Sequence, residues 1–453
     1  MQDLTTGSVT RHLLKTTGFM LVTMIFQTLY FLADLYWVGR LGKEAVAAVG
    51  VAGNLTFVVL AATQMLAVGT TTLVSHASGQ KDQARATLVF NQSMVLGFAS
   101  GFTFFALGML VRRWYAESIA ADSATALLAL QFLSWFIPAM ALQFPIVSMS
   151  AALRGTGNFK PGMIVQTATV IINIVLTPFF VFGWMGLPAL GVRGAAIASF
   201  VALVVGTVWL SLYFRGRSAY LHLRPAQWAP QFSLWAGMLK VGLPAGAEFG
   251  LMAVYLFLLY IVIRPFGAAA QAAVGIGLRI VQASFLPVVA LGIAVAPVAG
   301  QNFGAKLASR VRQTFRSGAV MASGLMTLAM VICLVAPKRL IATFSDDAEV
   351  ITIGAEYLRI VAFNFLPSGI VFVASSMFQA MGNTIPPLIT SFARMALVGL
   401  ALLLIARIEG FQLAWIWYMA VTVTWLQMTA NILLLRREYA RRLNFAPSVQ
   451  AEA

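Results

Sequence analysis

Runs of about 20 apolar residues, each long enough to cross a bilayer core of roughly 30 Å, recur along this chain from end to end. Twelve are counted, at residues 14–38, 46–75, 88–111, 127–152, 163–181, 195–214, 245–263, 272–298, 317–336, 357–380, 387–405 and 413–435. No alternation of apolar and polar residues, the mark of a membrane barrel, runs through them. With 60% hydrophobic residues, 10% charged residues and a mean hydropathy of +0.87, the chain has too much apolar surface for one soluble core. The expected class is an all-α integral membrane protein with twelve transmembrane helices.

A net charge of +16 would suggest nucleic acid in a soluble protein, but here its distribution matters more than its size. With the N-terminus in the cytoplasm, the inner segments hold 18 of the 30 basic residues and the outer loops hold 9, Arg407 among them. That bias predicts cytoplasmic N- and C-termini in a multi-pass protein of the inner (plasma) membrane. The basic clusters then serve contact with lipid headgroups, and nucleic acid is excluded as a partner.

A lone Cys333 rules out a disulfide within the chain and a cysteine-based metal site. The polar opening MQDLTTGSVTRHLLK has no small-residue cleavage site after a short apolar core, so no removable signal peptide is expected. His12, His76 and His222 fall near cytoplasmic ends, in no HExxH pattern, and no Walker A sequence occurs. No enzyme signature and no cofactor motif is present, so energy for any transport has to come from an ion gradient.

The chain repeats itself. Gly42 with Ala47, Ala48, Val49 and Gly50 recurs 225 residues later as Gly267 with Ala272, Ala273, Val274 and Gly275. The same shift carries Gly157, Asn158 and Pro161 onto Gly382, Asn383 and Pro386, while Gly79 and its polar followers match Gly300 at a shift of 221. Three echoes in one order imply duplication of a six-span unit, with both copies in the same orientation. The expected domains are an N-lobe at 1–214, a basic, proline-containing cytoplasmic connector at 215–233, a C-lobe at 234–435 and a tail at 436–453.

Most of the 14 acids lie in loops or tails, which isolates Asp34. A carboxylate within a span costs about 2.5 to 3.5 kcal/mol on insertion scales, so by default it faces a wet interior and does a job. Counted from Gly39 or Arg40, it stands roughly 8 Å below the outer end of its helix. A group there can bind and release a proton or hold a cation. Gln27 is two turns earlier on the same face, and Asn173 with Thr177, four residues apart, puts an amide and a hydroxyl on one face of the fifth span. Such groups serve equally well as hydrogen bonds between helices.

Glu248 is the deep carboxylate of the second half, with Arg279 and Gln282 on the eighth span as polar neighbours, and an ion pair with Arg279 is its inert alternative. Tyr36 is an aromatic candidate for lining a cavity that takes organic cations.

Several stretches together resemble the multidrug and toxic compound extrusion (MATE) transporters over nearly the whole chain. They are Asp34 with the following VGRLG, ALRGTGNFKP ending at Pro161, INIVLTPFFVFG with GVRGAAIAS, KVGLPA from Lys240, and QAMGNTIPP from Gln379. The resemblance implies a twelve-helix exporter of the MOP flippase superfamily, with two six-helix lobes that open alternately to either side, driven by H+ or Na+. It also implies that the aspartate matching Asp34 is a proton or sodium site, and that the matches to Gln27, Asn173 and Thr177 line the N-lobe cavity.

Departures from the family pattern are visible. Archaeal members bend the first helix at a proline where Phe19 stands, and carry an aspartate where Thr177 stands. Sodium-coupled members have an acid on helix ten, where the region around Ile370 is apolar, and their helix-seven glutamate falls near Met252, one turn beyond Glu248. Losing oxygen ligands disfavours Na+, so protons are the expected ion.

The expected function is an antiporter that exports organic, cationic amphipathic compounds as a monomer, with ion-coupling residues Asp34, Asn173, Thr177 and Glu248 and substrate-binding residues Gln27, Tyr36, Gln282 and Arg279. The alternatives are a flippase for a lipid-linked oligosaccharide, which would want a strongly basic cavity, and an intramembrane lipid enzyme, which would want clustered acids or histidines.

Overall fold

The structure is a computed structural model and describes residues 1–120, 122–186, 188–216, 219–405 and 410–445. Arg217 of the expected connector, Arg407 of the outer loops and residues 446–453 of the expected tail lie outside the described residues. Within them the chain is helical, with no strand. A backbone in hydrocarbon has to pair its own N–H and C=O groups, and the helix does this within one segment.

The helices are α1 (Val9–Gly39), α2 (Lys43–Gly79), α3 (Gln83–Ile119), α4 (Ser123–Gly155), α5 (Phe159–Phe182), α6 (Val192–Arg215), α7 (Phe232–Ile263), α8 (Gly267–Gly304), α9 (Ala308–Val335), α10 (Pro337–Ala342), α11 (Ala348–Val361), α12 (Phe365–Ala380), α13 (Ile385–Ile405) and α14 (Leu413–Arg442). Helix α10 has 6 residues, too few to cross. Helices α11 and α12 join through a 3-10 turn at Ala362–Asn364 into one apolar passage, so the twelve expected spans are all present.

Most helices outrun their apolar stretch. Helix α2 has 37 residues, about 55 Å at 1.5 Å per residue, so its polar ends stand clear of the hydrocarbon.

The chain packs as two compact units, one made of Met1–Asp3 with Gly18–Gly246, the other of Leu4–Thr17 with the described chain from Ala247 onward. In the first, α4 packs on α2, α3 and α6. Its apolar core includes Phe90, Leu133, Met149 and Phe214, with the rings of Phe90 and Phe214 centred 4.4 Å apart. In the second, α8 packs on α9, α11 and α12 around Leu291, Val295, Met326 and Phe378.

Turn geometry carries the duplication further than the sequence does. Gly157 and Gly382 both take positive φ, +76° and +75°, and each following asparagine reaches the last helix of its half. Asn158 donates to the Tyr213 hydroxyl at 3.0 Å and Asn383 to the Glu438 carboxylate at 2.9 Å, so the acceptors are also 225 residues apart. Lys81 and Lys306, again 225 apart, share φ of 59°, a backbone region that non-glycine residues rarely enter. The third sequence echo, matched at 221, thus sits in turns whose equivalent residues are 225 apart.

Two polar segments are fixed by buried amides. Residues 222–231 of the connector lie against α3 in the first unit. There Asn91 donates to the His222 carbonyl and accepts from the Arg224 amide, both at 2.9 Å. Gln92 donates to the Gln227 and Ala229 carbonyls at 2.6 and 2.8 Å and accepts from the Gln231 amide at 2.8 Å. In the second unit Arg310 donates to the carbonyls of Leu4, Thr6 and Gly7, and the Leu4 amide donates to Gln301 at 3.0 Å. Asn91 and Gln92 are fully buried, so each of these bonds offsets the cost of taking an amide out of water.

Candidate functional site

Helix α1 is continuous through Phe19, as a span without a proline should be. It carries Gln27, Tyr30, Asp34 and Tyr36. Asp34 is partly exposed, yet its Oδ1 is shut off from solvent and meets no hydrogen-bond donor among the described residues. An ionised carboxylate oxygen left dry and unpaired costs several times an ordinary hydrogen bond, so this geometry favours binding a proton or a cation.

One turn before Asp34, Tyr30 bonds to Ser199 of α6, hydroxyl to hydroxyl at 3.1 Å. Asn173 of α5 donates to the same Ser199 oxygen at 3.0 Å, and Ser199 donates on to the Ala195 carbonyl at 3.2 Å. Thr177, one turn along α5, donates to the Asn173 carbonyl at 2.8 Å. Asn173 and Thr177 are buried, at 2% and 0% exposure. The expected amide and hydroxyl therefore do share one place, and Asn173 connects toward the Asp34 region through Ser199 and Tyr30.

Tyr30 and Ser199 were not singled out from the sequence. Tyr30 stands one turn from the acid, and Ser199 closes the GVRGAAIAS stretch, so both signals were present without the tertiary contact that joins them.

Gln27 is exposed two turns from Asp34. Tyr36 is exposed too, but its hydroxyl accepts from Arg40 and its ring lies 4.7 Å from the Arg40 guanidinium carbon. The chain's own cation thus occupies the face of Tyr36.

In the second unit Glu248 of α7 is half-buried and accepts from the Ser391 hydroxyl of α13 at 3.4 Å. Gln427 of α14 donates to that hydroxyl at 3.2 Å. Among the described residues, Arg394 of α13 is the charged side chain close enough to bear on Glu248. Arg279 is exposed on α8, as is Gln282, and no ion pair within 4.0 Å joins Glu248 to either arginine among the described residues. Spacing within single helices gave no view of α13, which is why the sequence pointed to Arg279.

No group of three or more His, Cys, Asp or Glu that could hold a metal occurs among the described residues. What the two units present are single carboxylates, Asp34 with an oxygen that meets no donor among the described residues and Glu248 bonded to the Ser391 hydroxyl.

A family model described as MatE matches residues 20–179 and 244–405, which is most of the chain and both halves of its repeat. The chain belongs to the MATE family. Its relatives include the probable multidrug resistance protein NorM of Thermotoga maritima, 25% identical over 90% of this chain and 86% of that one. The multidrug export protein MepA of Staphylococcus saprophyticus is 26% identical over 80% of each.

Among solved structures, a MOP superfamily transporter from Pyrococcus furiosus superposes with a TM-score of 0.88 at 22% identity, covering 98% of both chains. A MATE in the bent conformation superposes with a TM-score of 0.90 at 21% identity over 97% of both. At such identities these likenesses bear on the fold: twelve membrane helices in two six-helix halves. As a MATE protein the chain is a multi-pass secondary transporter of small molecules, and not an enzyme.

Proposed function

We propose that this MATE protein is an inner-membrane antiporter that exports organic, cationic amphipathic compounds by alternating access, coupled to inward flow of H+ in preference to Na+. The halves that carry this out are residues 1–214 and 234–435, linked by 215–233, with both termini and the tail at 436–453 in the cytoplasm. Asp34 takes a proton from outside, which favours the inward-facing form and release of the exported compound, and loses it toward the cytoplasm. Asn173 and Thr177 support that exchange, with Glu248 as the second unit's coupling group. Gln27, Tyr36, Arg279 and Gln282 contact the exported compound.

The observation that carries this is the dry, unpaired Oδ1 of Asp34, one turn from a hydroxyl and amide chain through Tyr30, Ser199 and Asn173. A proton resolves that orphaned oxygen at once. The preference for H+ rests on the residues available: no donor meets the Asp34 Oδ1 among the described residues, and Thr177 stands where a second acid would add a hard ligand for Na+.

Ethidium efflux from proteoliposomes, under an imposed pH gradient or an imposed Na+ gradient, tests the ion and the substrate class together. The pH gradient should drive efflux and the Na+ gradient should not. Asp34→Asn should reduce pH-driven efflux to the level of empty liposomes. The proposal is falsified if Asp34→Asn keeps full efflux and full drug-linked proton flux.

A further inference from the structure

Glu248 and Tyr255 are seven residues apart on α7, so they share one face about 10 Å apart along the axis. On α13, Ser391 and Arg394 also share a face, three residues apart. Ser391 meets Glu248 at 3.4 Å, while the Arg394 guanidinium carbon lies 5.6 Å from the centroid of the Tyr255 ring. Arg394 thus stands between two sites on α7, an anionic one and an aromatic one, and in this structure it lies over the aromatic one.

Each site alone would attract a guanidinium, the carboxylate by charge and the ring by its quadrupole. A carboxylate in apolar surroundings needs a compensating cation or a proton, whereas an arginine needs either an anion or a π-face. Among the described residues, the other polar groups at Glu248 are uncharged: Ser375 of α12, Ser391, and Gln427 of α14 behind it. The titratable groups on the aromatic side, among the described residues, are Tyr255 itself and, beyond it, Tyr260 of α7, Cys333 of α9 and Tyr357 of α11.

We propose that Arg394 is the resident counter-cation of Glu248, closing on the carboxylate when that is empty and withdrawing to the Tyr255 ring when Glu248 holds a proton or metal cation. Arg394 is then a tethered competitor that weakens external cation binding and lets the second unit empty without leaving a bare charge. This deepens the ion-coupling role given to Glu248 above and rests on it. Arg394 acts through Glu248, so it is a positioning residue.

Purified full-length protein in detergent is titrated with pH, and separately with NaCl against choline chloride, while the thermal unfolding midpoint is followed. All variants carry Asp34→Asn, and the response of Glu248 is read as the difference from the same protein carrying Glu248→Gln, since the other acids and histidines also titrate. Relative to that background, Arg394→Met should lower the cation concentration giving half the stabilisation at least ten-fold. Arg394→Lys, which keeps the charge, should stay near the background value, and Glu248→Gln with Arg394→Met should abolish the response.

A shift in the pH titration identifies the proton, and a shift in the NaCl titration identifies Na+. If Arg394→Met titrates like the background, or the double variant keeps the Arg394→Met response, the proposal is overturned. Because unfolding is read without transport, failure here leaves the Asp34 efflux result standing, and failure of that result leaves this one readable.

Discussion

At the scale of single residues, Ser199 matters because two bonds converge on its oxygen, from Tyr30 at 3.1 Å and from Asn173 at 3.0 Å. Ser199→Ala leaves both partners without their shared atom while changing the volume little. One net hydrogen bond is worth about 1 kcal/mol, and about 1.4 kcal/mol is tenfold in rate, so pH-driven efflux should fall roughly five-fold with Asp34 intact. Tyr30→Phe should cost about the same, and the double variant no more than about ten-fold if both act in one chain. Initial efflux rates across a pH series check this, and a rate unchanged in both single variants would remove the network from the coupling path. Asp34 itself was legible in the sequence, because a charge inside an apolar run announces itself. Ser199 and the relation of Arg394 to Glu248 were not, because their meaning lies in a partner 169 residues away in one case and on a different helix, α7, in the other.

Helices were legible as elements because hydrocarbon leaves the backbone few alternatives, and twelve apolar runs became twelve passages. Their ends were less legible. Helix α2 continues past the apolar stretch to Gly79, since helical hydrogen bonding does not stop where hydropathy does, and the stretch before residue 357 is already helical as α11. The inner end of α7 depends on close packing that composition does not reveal. A Cβ at Gly242 would stand 2.1 Å from the Met65 carbonyl oxygen of α2, a distance no side chain tolerates, and with Gly246 it forms the small-xxx-small spacing that lets membrane helices approach. Gly242→Leu should therefore destabilise the fold by about 1 to 3 kcal/mol or more through overpacking. Gly250→Ala, where a Cβ meets nothing within 4 Å, should leave stability unchanged or raise it by up to about 1 kcal/mol. Fluorescence-detected unfolding in detergent compares the two, and equal midpoints would show that this seam is not under packing constraint.

For the molecule as a whole, orientation decides whether the proton gradient can do work. Asp34 lies near the outer end of α1 only if the N-terminus is cytoplasmic, and the argument for that is the excess of Lys and Arg in alternate segments. The duplication adds weight, because an even number of passages per copy gives both halves the same orientation, so basic residues in either half count toward one outcome. The turns repeating at 225 residues, at Lys81 and Lys306 and at Gly157 and Gly382, then all belong to the cytoplasmic face. Two positions read the orientation directly. Met185, between α5 and α6 and 90% exposed, should be extracellular, and Ala226, exposed in the connector, should be cytoplasmic. In a Cys333→Ala background, Met185→Cys should react with a membrane-impermeant maleimide added to intact cells, and Ala226→Cys should react only after the membrane is opened. The reverse pattern would turn the molecule over, place Asp34 near the cytoplasmic surface, and leave a proton from outside with most of the membrane to cross before reaching it.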